Sequence, residues 1–307
     1  MRIKLRTEFI KKHHFDNYEI TPLKHDASLR RYFRLTKNKQ TFILMDSPPP
    51  SEPVMPFIKV TQFLSENNFS VPLIHFQDTE HGFLILEDFG NNIINNYLDQ
   101  HPKYEEKIYF LAIDNLIRLT TLAPPKKFPK HTKKLLMSGI KQFQKFYLES
   151  NNPELIELSN SLLDKLNYKN HHISLRDFHA DNLVYLNNQK SYRQIGLLDY
   201  QDASLGFISY DLLSLLQDAR KYISPKLQEK YLQYFLDNMP NLNQETFLQE
   251  YEILSFQRNS RIIGLFNKFN KLDNNSSYLK YLDNVFKYFK INLKSKHLTE
   301  IKYFLDN

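Results

Sequence analysis

The sequence predicts an α+β fold in two lobes, a small β-rich lobe followed by a large, mainly helical lobe. Residues 18–46 alternate and turn like antiparallel strands, and 71–76 and 82–86 have the pattern of two further strands. From residue 91 onward, apolar residues recur mostly at helical spacing. The pattern changes after Asp88-Phe89-Gly90, so we expect lobes at 1–88 and 89–307.

The small lobe is expected to hold five antiparallel strands and one helix. Three prolines at 48–50 end the third strand, because proline cannot donate a hydrogen bond to a sheet. Apolar residues at helical spacing then predict a helix that begins near Pro56 and ends at Asn67 and Asn68. The expected strands are 18–23, 30–35, 41–45, 71–76 and 82–86.

The large lobe is expected to be helical on both sides of a short β-like insert at 173–201. Proline, asparagine and serine clusters mark the helix ends, because these residues favour turns and caps. The expected interruptions are at 124–125, 151–153, 224–225, 239–240 and 273–277.

Composition excludes several classes of protein. The chain has no cysteine, so disulfides, thiolate nucleophiles and cysteine metal sites are not expected. No apolar run approaches the roughly 20 residues that a membrane-spanning helix needs. Residues 1–14 are charged throughout and lack the apolar stretch of a secretory signal. We therefore expect a cytoplasmic protein with no membrane partner.

The basic charge balance has two readings, nucleic-acid binding or a basic surface that attracts small anions. The formal net charge is +7, but Lys and Arg are spread along the chain rather than clustered. We therefore expect small anions such as nucleotides, and no nucleic acid. With six glycines and no G-x-x-x-x-G-K-[ST] or G-x-G-x-x-G, the familiar glycine-rich nucleotide loops are excluded.

One segment carries the pattern of phosphoryl-transfer chemistry. Asp177 and Asn182 have the D-x-x-x-x-N spacing, and Asp199 follows at the end of the apolar stretch 195–198. Transfer from ATP needs an acidic residue beside the attacking hydroxyl and hard oxygen ligands for Mg²⁺. D-x-x-x-x-N alone is a weak signal. Together with the later Asp and an upstream β-rich lobe, it predicts a kinase.

The tripeptide Asp88-Phe89-Gly90 matches the metal-binding DFG motif of protein kinases only by accident. In kinases the catalytic loop comes first, whereas here the tripeptide precedes Asp177. We interpret this stretch as the connector between the lobes, where residues 86–88 would offer backbone groups to adenine.

Across nearly its whole length the chain resembles the aminoglycoside phosphotransferase and choline kinase superfamily. Within it, the chain is most similar to bacterial cell-wall kinases that phosphorylate N-acetylmuramate and N-acetylglucosamine at the anomeric hydroxyl. The resemblance implies a bilobal, protein-kinase-like fold that uses ATP and Mg²⁺. The stretches that carry it are 26–35, 43–50, 82–90, 175–183, 196–203, 210–220 and 257–261.

The resemblance assigns roles to individual residues of this chain. Asp177 would be the catalytic base, with Asn182 and Asp199 as Mg²⁺ ligands. The turn 26–31 would cover the ATP phosphates. The residues expected to bind ATP are Ser28, Arg31, Glu87 and Asp88.

The third strand lacks the phosphate-binding lysine of protein kinases. The chain reads Ile43-Leu44-Met45 there, followed by Asp46. Some other cation should face the phosphates, and we expect Arg31, with Arg30 as the alternative.

Further polar residues of the large lobe are candidates for substrate contact or for support of the catalytic loop. Asp211, near a predicted helix start, is expected to cap that helix or brace the loop. Arg258 and Arg261 either contact an anionic sugar, such as the lactyl carboxylate of muramate, or lie on the surface. The residues assigned to substrate are His179, Asp218, Arg220 and Arg258.

Four functions are open at this point. The first is an anomeric amino-sugar kinase of peptidoglycan recycling, with a downstream nucleotidyltransferase as pathway partner. The second keeps the chemistry with another acceptor, such as an aminoglycoside, choline, ethanolamine or homoserine. The third is a metallophosphoesterase, since Asp177–His179 matches the D-x-H motif that comes first in such sites. This function is excluded because the G-N-H and G-H-x-H motifs that such a site also needs do not occur. The fourth, a non-catalytic nucleotide-binding scaffold, has only the missing third-strand lysine in its favour.

Overall fold

The computed structural model describes residues 1–23, 29–125, 128–169 and 172–307. The chain forms two compact units. Unit 1 contains residues 1–97 and 182–202, and unit 2 contains 98–181 and 203–307. The lobe boundary expected after residue 88 stays a prediction.

Unit 1 is built on a five-stranded antiparallel sheet, which confirms the prediction for the first part of the chain. The strands lie in the order β1-β2-β3-β5-β4. Alternate residues point to one face, where Leu35, Leu44, Phe83 and Ile85 are fully buried. The strands are β1 Glu19–Pro22, β2 Arg31–Lys37, β3 Gln40–Asp46, β4 Ile74–Asp78 and β5 Phe83–Glu87.

Two helices complete this part of unit 1, and the sequence predicted only the second of them. Helix α1, Arg2–Lys12, places Phe9 and Ile10 in the same core cluster as the sheet. Local pattern gave no signal for α1, because only these two of its residues are buried. Helix α2, Met55–Glu66, has proline in its first turn, where the missing N–H costs nothing.

A hairpin from the later part of the chain also belongs to unit 1. Strands β7, Leu183–Tyr185, and β8, Ile195–Leu197, pair antiparallel with Leu183 opposite Leu197. The Leu197 amide donates to the Ser70 carbonyl at 2.8 Å, so the hairpin is joined to residues near the sheet. Helix α3, Ile94–Gln100, follows β5.

Unit 2 is mainly helical, as predicted. Several helices begin at side-chain caps in which Thr132, Asn152, Ser224 or Asn243 accepts a backbone N–H. A two-stranded pair, β6 His172–Ser174 with β9 Ser204–Gly206, is the exception to the helical pattern. The helices are α4 Glu105–Thr120, α5 Lys133–Phe146, α6 Pro153–Asp164, α7 Ile208–Leu216, α8 Pro225–Asp237, α9 Gln244–Leu272, α10 Leu282–Asn292 and α11 Thr299–Asp306.

Helices α5 and α9 pack closely through two glycines. A Cβ on Gly264 would lie 2.4 Å from the Phe143 backbone nitrogen, and one on Gly139 would lie 2.8 Å from the Arg261 Cβ. The absence of these side chains lets α9 bring Gln257 and Arg261 against α5. Within the described residues, no helix is long and apolar enough to cross a bilayer.

Candidate active site

Unit 1 holds the two predicted metal ligands next to each other at the open end of the β7–β8 hairpin. Asn182 directly precedes β7, and Asp199 follows two residues after β8 ends. The Leu198 amide donates to the Asn182 carbonyl at 2.9 Å, which continues the strand pairing to this point. The pairing therefore brings the two residues together although they are distant in sequence.

Asp199 has a backbone conformation that is unusual for a residue with a side chain. Its φ is +53°, in the left-handed region that is mainly open to Gly, Asn and Asp. The next residue, Tyr200, is buried, with its ring stacked on Phe57 at 5.2 Å and its hydroxyl 2.9 Å from that of Thr61. Helix α2 thus fixes the turn, and the Asp199 carboxylate is left 46% exposed.

Arg30 is the cation that faces this carboxylate. Its Nε lies 3.1 Å from a Glu52 oxygen and its Nη1 3.7 Å from Asp199 Oδ1. Burial lowers the pKa of Arg30, but Tyr32, Asp199 and Glu52 outweigh burial and raise it. Arg30 is therefore a buried, permanently charged group beside the predicted metal ligand.

Arg31 and Ser28 are the other residues that the sequence predicts to contact the ATP phosphates. Arg31, the first choice from sequence, is exposed at the start of β2. Ser28 lies outside the described residues. Between the two arginines, the geometry favours Arg30, and the roles of Arg31 and Ser28 stay predictions.

The residues of this part of unit 1 fit a Mg²⁺ ion with bound phosphate. The side chain of Asp199 offers carboxylate oxygens and that of Asn182 an amide oxygen, both hard donors of the type Mg²⁺ prefers. Proteins bind this ion through one or two such ligands, with water and substrate phosphates completing the octahedron. The adjacent Arg30 adds positive charge for the same phosphates.

Glu87 and Asp88 at the end of β5 both use their carboxylates within unit 1. Glu87 accepts from the Leu73 amide at 3.2 Å. Asp88 is paired with Arg34, Nε to Oδ2 at 2.6 Å, and accepts from the Gly90 amide at 2.8 Å. These contacts fix the backbone of the connector, and its contact with adenine stays a prediction.

Unit 2 holds Asp177 on a loop that a buried carboxylate braces. Asp211, in the first turn of α7, accepts hydrogen bonds from the Ser174 hydroxyl at 3.0 Å and from the Leu175 and Arg176 amides at 2.6 and 2.8 Å. Arg176 itself has a φ of +71°. The bracing role expected for Asp211 is therefore confirmed, and it supports a strained backbone one residue before Asp177.

The environment of Asp211 shifts its protonation toward neutral pH. Burial raises the pKa of Asp211 to about 7, while the hydrogen bonds from Leu175, Arg176 and Ser174 oppose that rise. All three groups that contact the Asp211 carboxylate donate hydrogen bonds, so the ionised carboxylate is the form that accepts from all of them. Above this pKa the loop is consequently held by its full set of hydrogen bonds.

Three of the four residues assigned to substrate lie together. Arg220 forms an ion pair with Asp181 at 3.0 Å and donates from Nη1 to His179 Nε2 at 3.4 Å. Its backbone amide donates to Asp218 at 2.8 Å. Burial, followed by Arg220 and Arg258, lowers the pKa of His179 well below its usual value, so His179 is neutral. Their assignment to substrate stays a prediction.

The fourth, Arg258, is buried on α9 and occupied by protein groups. Its Nε donates to the Ser214 hydroxyl at 3.0 Å and its Nη1 to the Gln217 carbonyl at 3.0 Å. Ser214 in turn donates to the Arg176 carbonyl at 3.3 Å. Arg258 thus supports the loop that carries Asp177, and a direct substrate contact stays a prediction.

The comparisons with known proteins agree with these observations. Residues 19–244 match the model of the phosphotransferase enzyme family. Two curated relatives are both named N-acetylmuramate/N-acetylglucosamine kinase. The relative from Pseudomonas putida is 28% identical, and the one from Pseudomonas aeruginosa is 29% identical. Each alignment covers 88% of this chain and 82% of the relative.

Solved structures show the same fold. An ADP-bound aminoglycoside phosphotransferase matches with a TM-score of 0.63 and 17% identity, over 93% of this chain and 97% of that one. A choline kinase from Streptococcus pneumoniae matches with a TM-score of 0.67 and 12% identity, over 94% and 98%. The fold is therefore that of the kinase-like small-molecule phosphotransferases.

Proposed function

Because the chain belongs to the phosphotransferase enzyme family, we propose that it transfers the γ-phosphoryl group of ATP to the anomeric hydroxyl of N-acetylmuramate or N-acetylglucosamine. The printed names of both Pseudomonas relatives support this choice of acceptor. The structural observation that carries the chemistry is the braced loop, on which Asp211 holds the backbone just before Asp177.

Asp177 is assigned to the acceptor. Its carboxylate orients the sugar hydroxyl and accepts the hydroxyl proton as the new oxygen–phosphorus bond forms and the bond to ADP breaks. Asp177 in turn interacts electrostatically with Arg261 and Arg258 and helps to raise the pKa of Arg261. Positioning of this kind supplies a large share of the rate in phosphoryl transfer.

Asn182, Asp199 and Arg30 are assigned to the nucleotide. Asn182 and Asp199 would hold Mg²⁺, which neutralises charge on the phosphate oxygens when bound. Arg30 contributes a fixed positive charge beside Asp199 and takes the place of the missing third-strand lysine. The backbone at residues 86–88 would contact adenine.

A place in metabolism follows from the product. A sugar 1-phosphate is the substrate of nucleotidyltransferases, so such an enzyme is the expected next step, in the cytoplasm and in peptidoglycan recycling.

The test is a measurement of ADP release from Mg-ATP with a panel of acceptors. The panel contains N-acetylmuramate, N-acetylglucosamine, glucose, choline, homoserine and kanamycin. The 1-O-methyl glycoside of N-acetylglucosamine is the matched control, because it differs only in its blocked anomeric oxygen. Phosphorus NMR before and after mild acid identifies the product, since anomeric phosphates hydrolyse under conditions that leave 6-phosphates intact.

The proposal expects an acid-labile product from the two N-acetyl sugars and none from the methyl glycoside. An acid-stable product would move phosphorylation to another hydroxyl. Turnover of choline, homoserine or kanamycin alone would replace the acceptor and keep the phosphotransferase. Mg-ATP binding without turnover of any acceptor would favour the scaffold.

A further inference from the structure

Unit 2 contains a small polar cavity between α5 and α9. Its volume is 160 Å³. That is close to the roughly 150 Å³ of an engineered protein cavity that admits benzene, so it has room for a group of about six heavy atoms. Its polar lining residues are His131, Ser138, Gln142, Arg176, Tyr210, Gln257 and Arg261.

Four buried polar atoms of this lining have no hydrogen-bond partner among the residues that the structure describes. They are Arg176 Nε, Arg261 Nε, His131 Nδ1 and Gln257 Oε1. His131 and Gln257 are only 2% and 1% exposed, so bulk water does not reach their side chains. Buried polar atoms are almost always satisfied by protein, water or ligand, so four of them around one cavity mark it as a place that a polar group can occupy.

The charge of the lining defines the sign of that ligand. Two guanidinium groups, Arg176 and Arg261, line the cavity, and no Asp or Glu is among its described lining residues. His131 adds no charge, because burial, followed by Arg176 and Arg261, lowers its pKa to about 3. With two guanidinium groups and no carboxylate in the described lining, the cavity favours a bound anion.

The cavity adjoins the loop assigned to the acceptor. Arg176 is the residue directly before Asp177 and has the left-handed conformation that Asp211 supports. Asp177 also interacts with Arg261 and helps to raise its pKa, after the larger effect of Tyr210. A group in the cavity would therefore belong to a molecule whose reacting hydroxyl lies at Asp177.

We propose that this cavity binds a carboxylate on a short substituent of the acceptor, held by the side chains of Arg176 and Arg261. The inference rests on the proposed function and deepens it, because it makes the enzyme select acidic over neutral amino sugars. The lactyl ether of N-acetylmuramate has six heavy atoms and one carboxylate, which fit the volume and the charge. N-acetylglucosamine has the same ring without this group.

The first test compares Arg261→Gln with Arg118→Gln. Glutamine keeps the Cβ and Cγ that pack at Gly139 and removes the guanidinium. Arg118 is exposed on α4 of the same unit, so its substitution controls for the change in net charge. The measured quantity is the ratio of kcat/KM for N-acetylmuramate to that for N-acetylglucosamine, which removes any general loss of activity.

Arg261→Gln is expected to lower this ratio at least about tenfold, mainly through KM for N-acetylmuramate, because hydrogen bonds to charged groups are among the stronger ones. Arg261→Lys should restore part of this ratio, because lysine has the positive charge of arginine but lacks the planar guanidinium that binds a carboxylate through two hydrogen bonds. Arg118→Gln should leave it within twofold. An Arg261→Gln enzyme whose ratio is unchanged, or that loses both sugars equally, would overturn the proposal.

A second pair of variants leaves the buried residues intact. Ser138 lines the cavity and is itself exposed, so its substitution does not disturb the core. Ser138→Asp places a negative charge beside the site and is expected to lower the ratio at least about fivefold. Ser138→Asn has nearly the same shape without the charge and should have little effect. Equal effects of the two variants would contradict an anion site.

Titration of N-acetylmuramate without nucleotide separates this proposal from the proposed function. Wild-type binding that is lost in Arg261→Gln supports the cavity even if neither sugar is phosphorylated, in which case only the proposed function fails. If both sugars are phosphorylated and Arg261→Gln does not change the affinity for N-acetylmuramate, the proposed function is retained and the cavity assignment is overturned.

Discussion

Arg30 holds two acidic groups of unit 1, Glu52 and Asp199, with a single side chain. Protein kinases pair a third-strand lysine with a glutamate on the following helix and so keep a cation at the phosphates. In this chain the third strand ends instead in Asp46, a buried carboxylate that is neutralised by Arg2 and Arg6 of α1. The cation nearest Asp199 among the described residues is therefore Arg30, which directly precedes β2.

Arg30→Gln is expected to lower kcat/KM for ATP about tenfold or more, because a hydrogen bond to a charged group contributes roughly 1.5–3 kcal/mol. Arg31→Gln is the matched control and should change it less than threefold, since the Arg31 side chain is exposed. Steady-state kinetics at saturating acceptor measures both. A larger loss in Arg31→Gln than in Arg30→Gln would return the phosphate contact to Arg31.

Asp177→Asn is expected to lower kcat about a hundredfold or more, with little change in nucleotide affinity. Asparagine keeps the shape of the side chain but cannot accept the hydroxyl proton, and a positioned general base contributes roughly a hundredfold to ten-thousandfold. ADP release gives kcat, and equilibrium titration of nucleotide gives the affinity. Asp273→Asn, at an exposed helix end, is the control. Near-normal turnover in Asp177→Asn would remove Asp177 from the mechanism.

At the level of elements, the first turn of α7 supports the loop that carries Asp177. Asp211 joins this turn to the end of β6 and to the backbone before Asp177 through three hydrogen bonds. Ser214, one turn later, receives a hydrogen bond from Arg258 of α9 and donates to Arg176. Helix α7 therefore contacts both α9 and the loop before Asp177. A change in the packing of α9 is expected to change the position of this loop as well.

The raised pKa of Asp211 predicts that the free energy of unfolding depends on pH. The folded pKa of Asp211 is raised from 3.8 to about 7, so the native state binds a proton that the unfolded state has released between these values. Stability contributed by this group therefore falls as pH rises from about 4 to about 7. Asp211→Asn does not titrate, so the stability difference, wild type minus variant, should decrease over that range.

Urea denaturation at a series of pH values measures this difference. Burial also raises the pKa of Glu250 to about 7, but Glu250 is present in both proteins and cancels. A difference that does not vary with pH would contradict the shift at Asp211. Asp211→Asn should also be less stable than wild type at every pH. The NH2 group of the asparagine would face one of the three groups that donate hydrogen bonds to Asp211, and that hydrogen bond would be lost.

At the level of the whole molecule, the net charge of +7 favours the approach of anions. The KM for ATP should therefore rise at least about twofold between low and moderately high salt, as screening shortens the reach of the surface charge. The KM for N-acetylglucosamine is the internal control, because this sugar is uncharged. Parallel changes in both KM values would indicate a general effect of salt on the enzyme and not screening.

Much of the fold could be predicted because the signals are local. Alternation over 18–46 and short apolar runs after it identified the strands of the sheet, and proline and asparagine clusters identified the ends of α2 and α9. Helix α1 was missed because only Phe9 and Ile10 of its residues are buried, so its helical pattern exists only against the sheet. The hairpin β7–β8 was seen as strand-like, but its membership of unit 1 depends on contacts with distant residues such as Ser70.

The sequence by itself determined the family and the α+β fold class, and it singled out Asp177, Asn182 and Asp199 as candidate site residues, because short motifs and short-range periodicity contain that information. Tertiary structure decided what depends on residues far apart in the chain. It placed Arg30 rather than Arg31 beside Asp199, joined Asp211 to the loop that carries Asp177, and gathered Arg176 and Arg261 around one cavity. Charge pairing and burial act through space, so such arrangements exist only once the chain has folded.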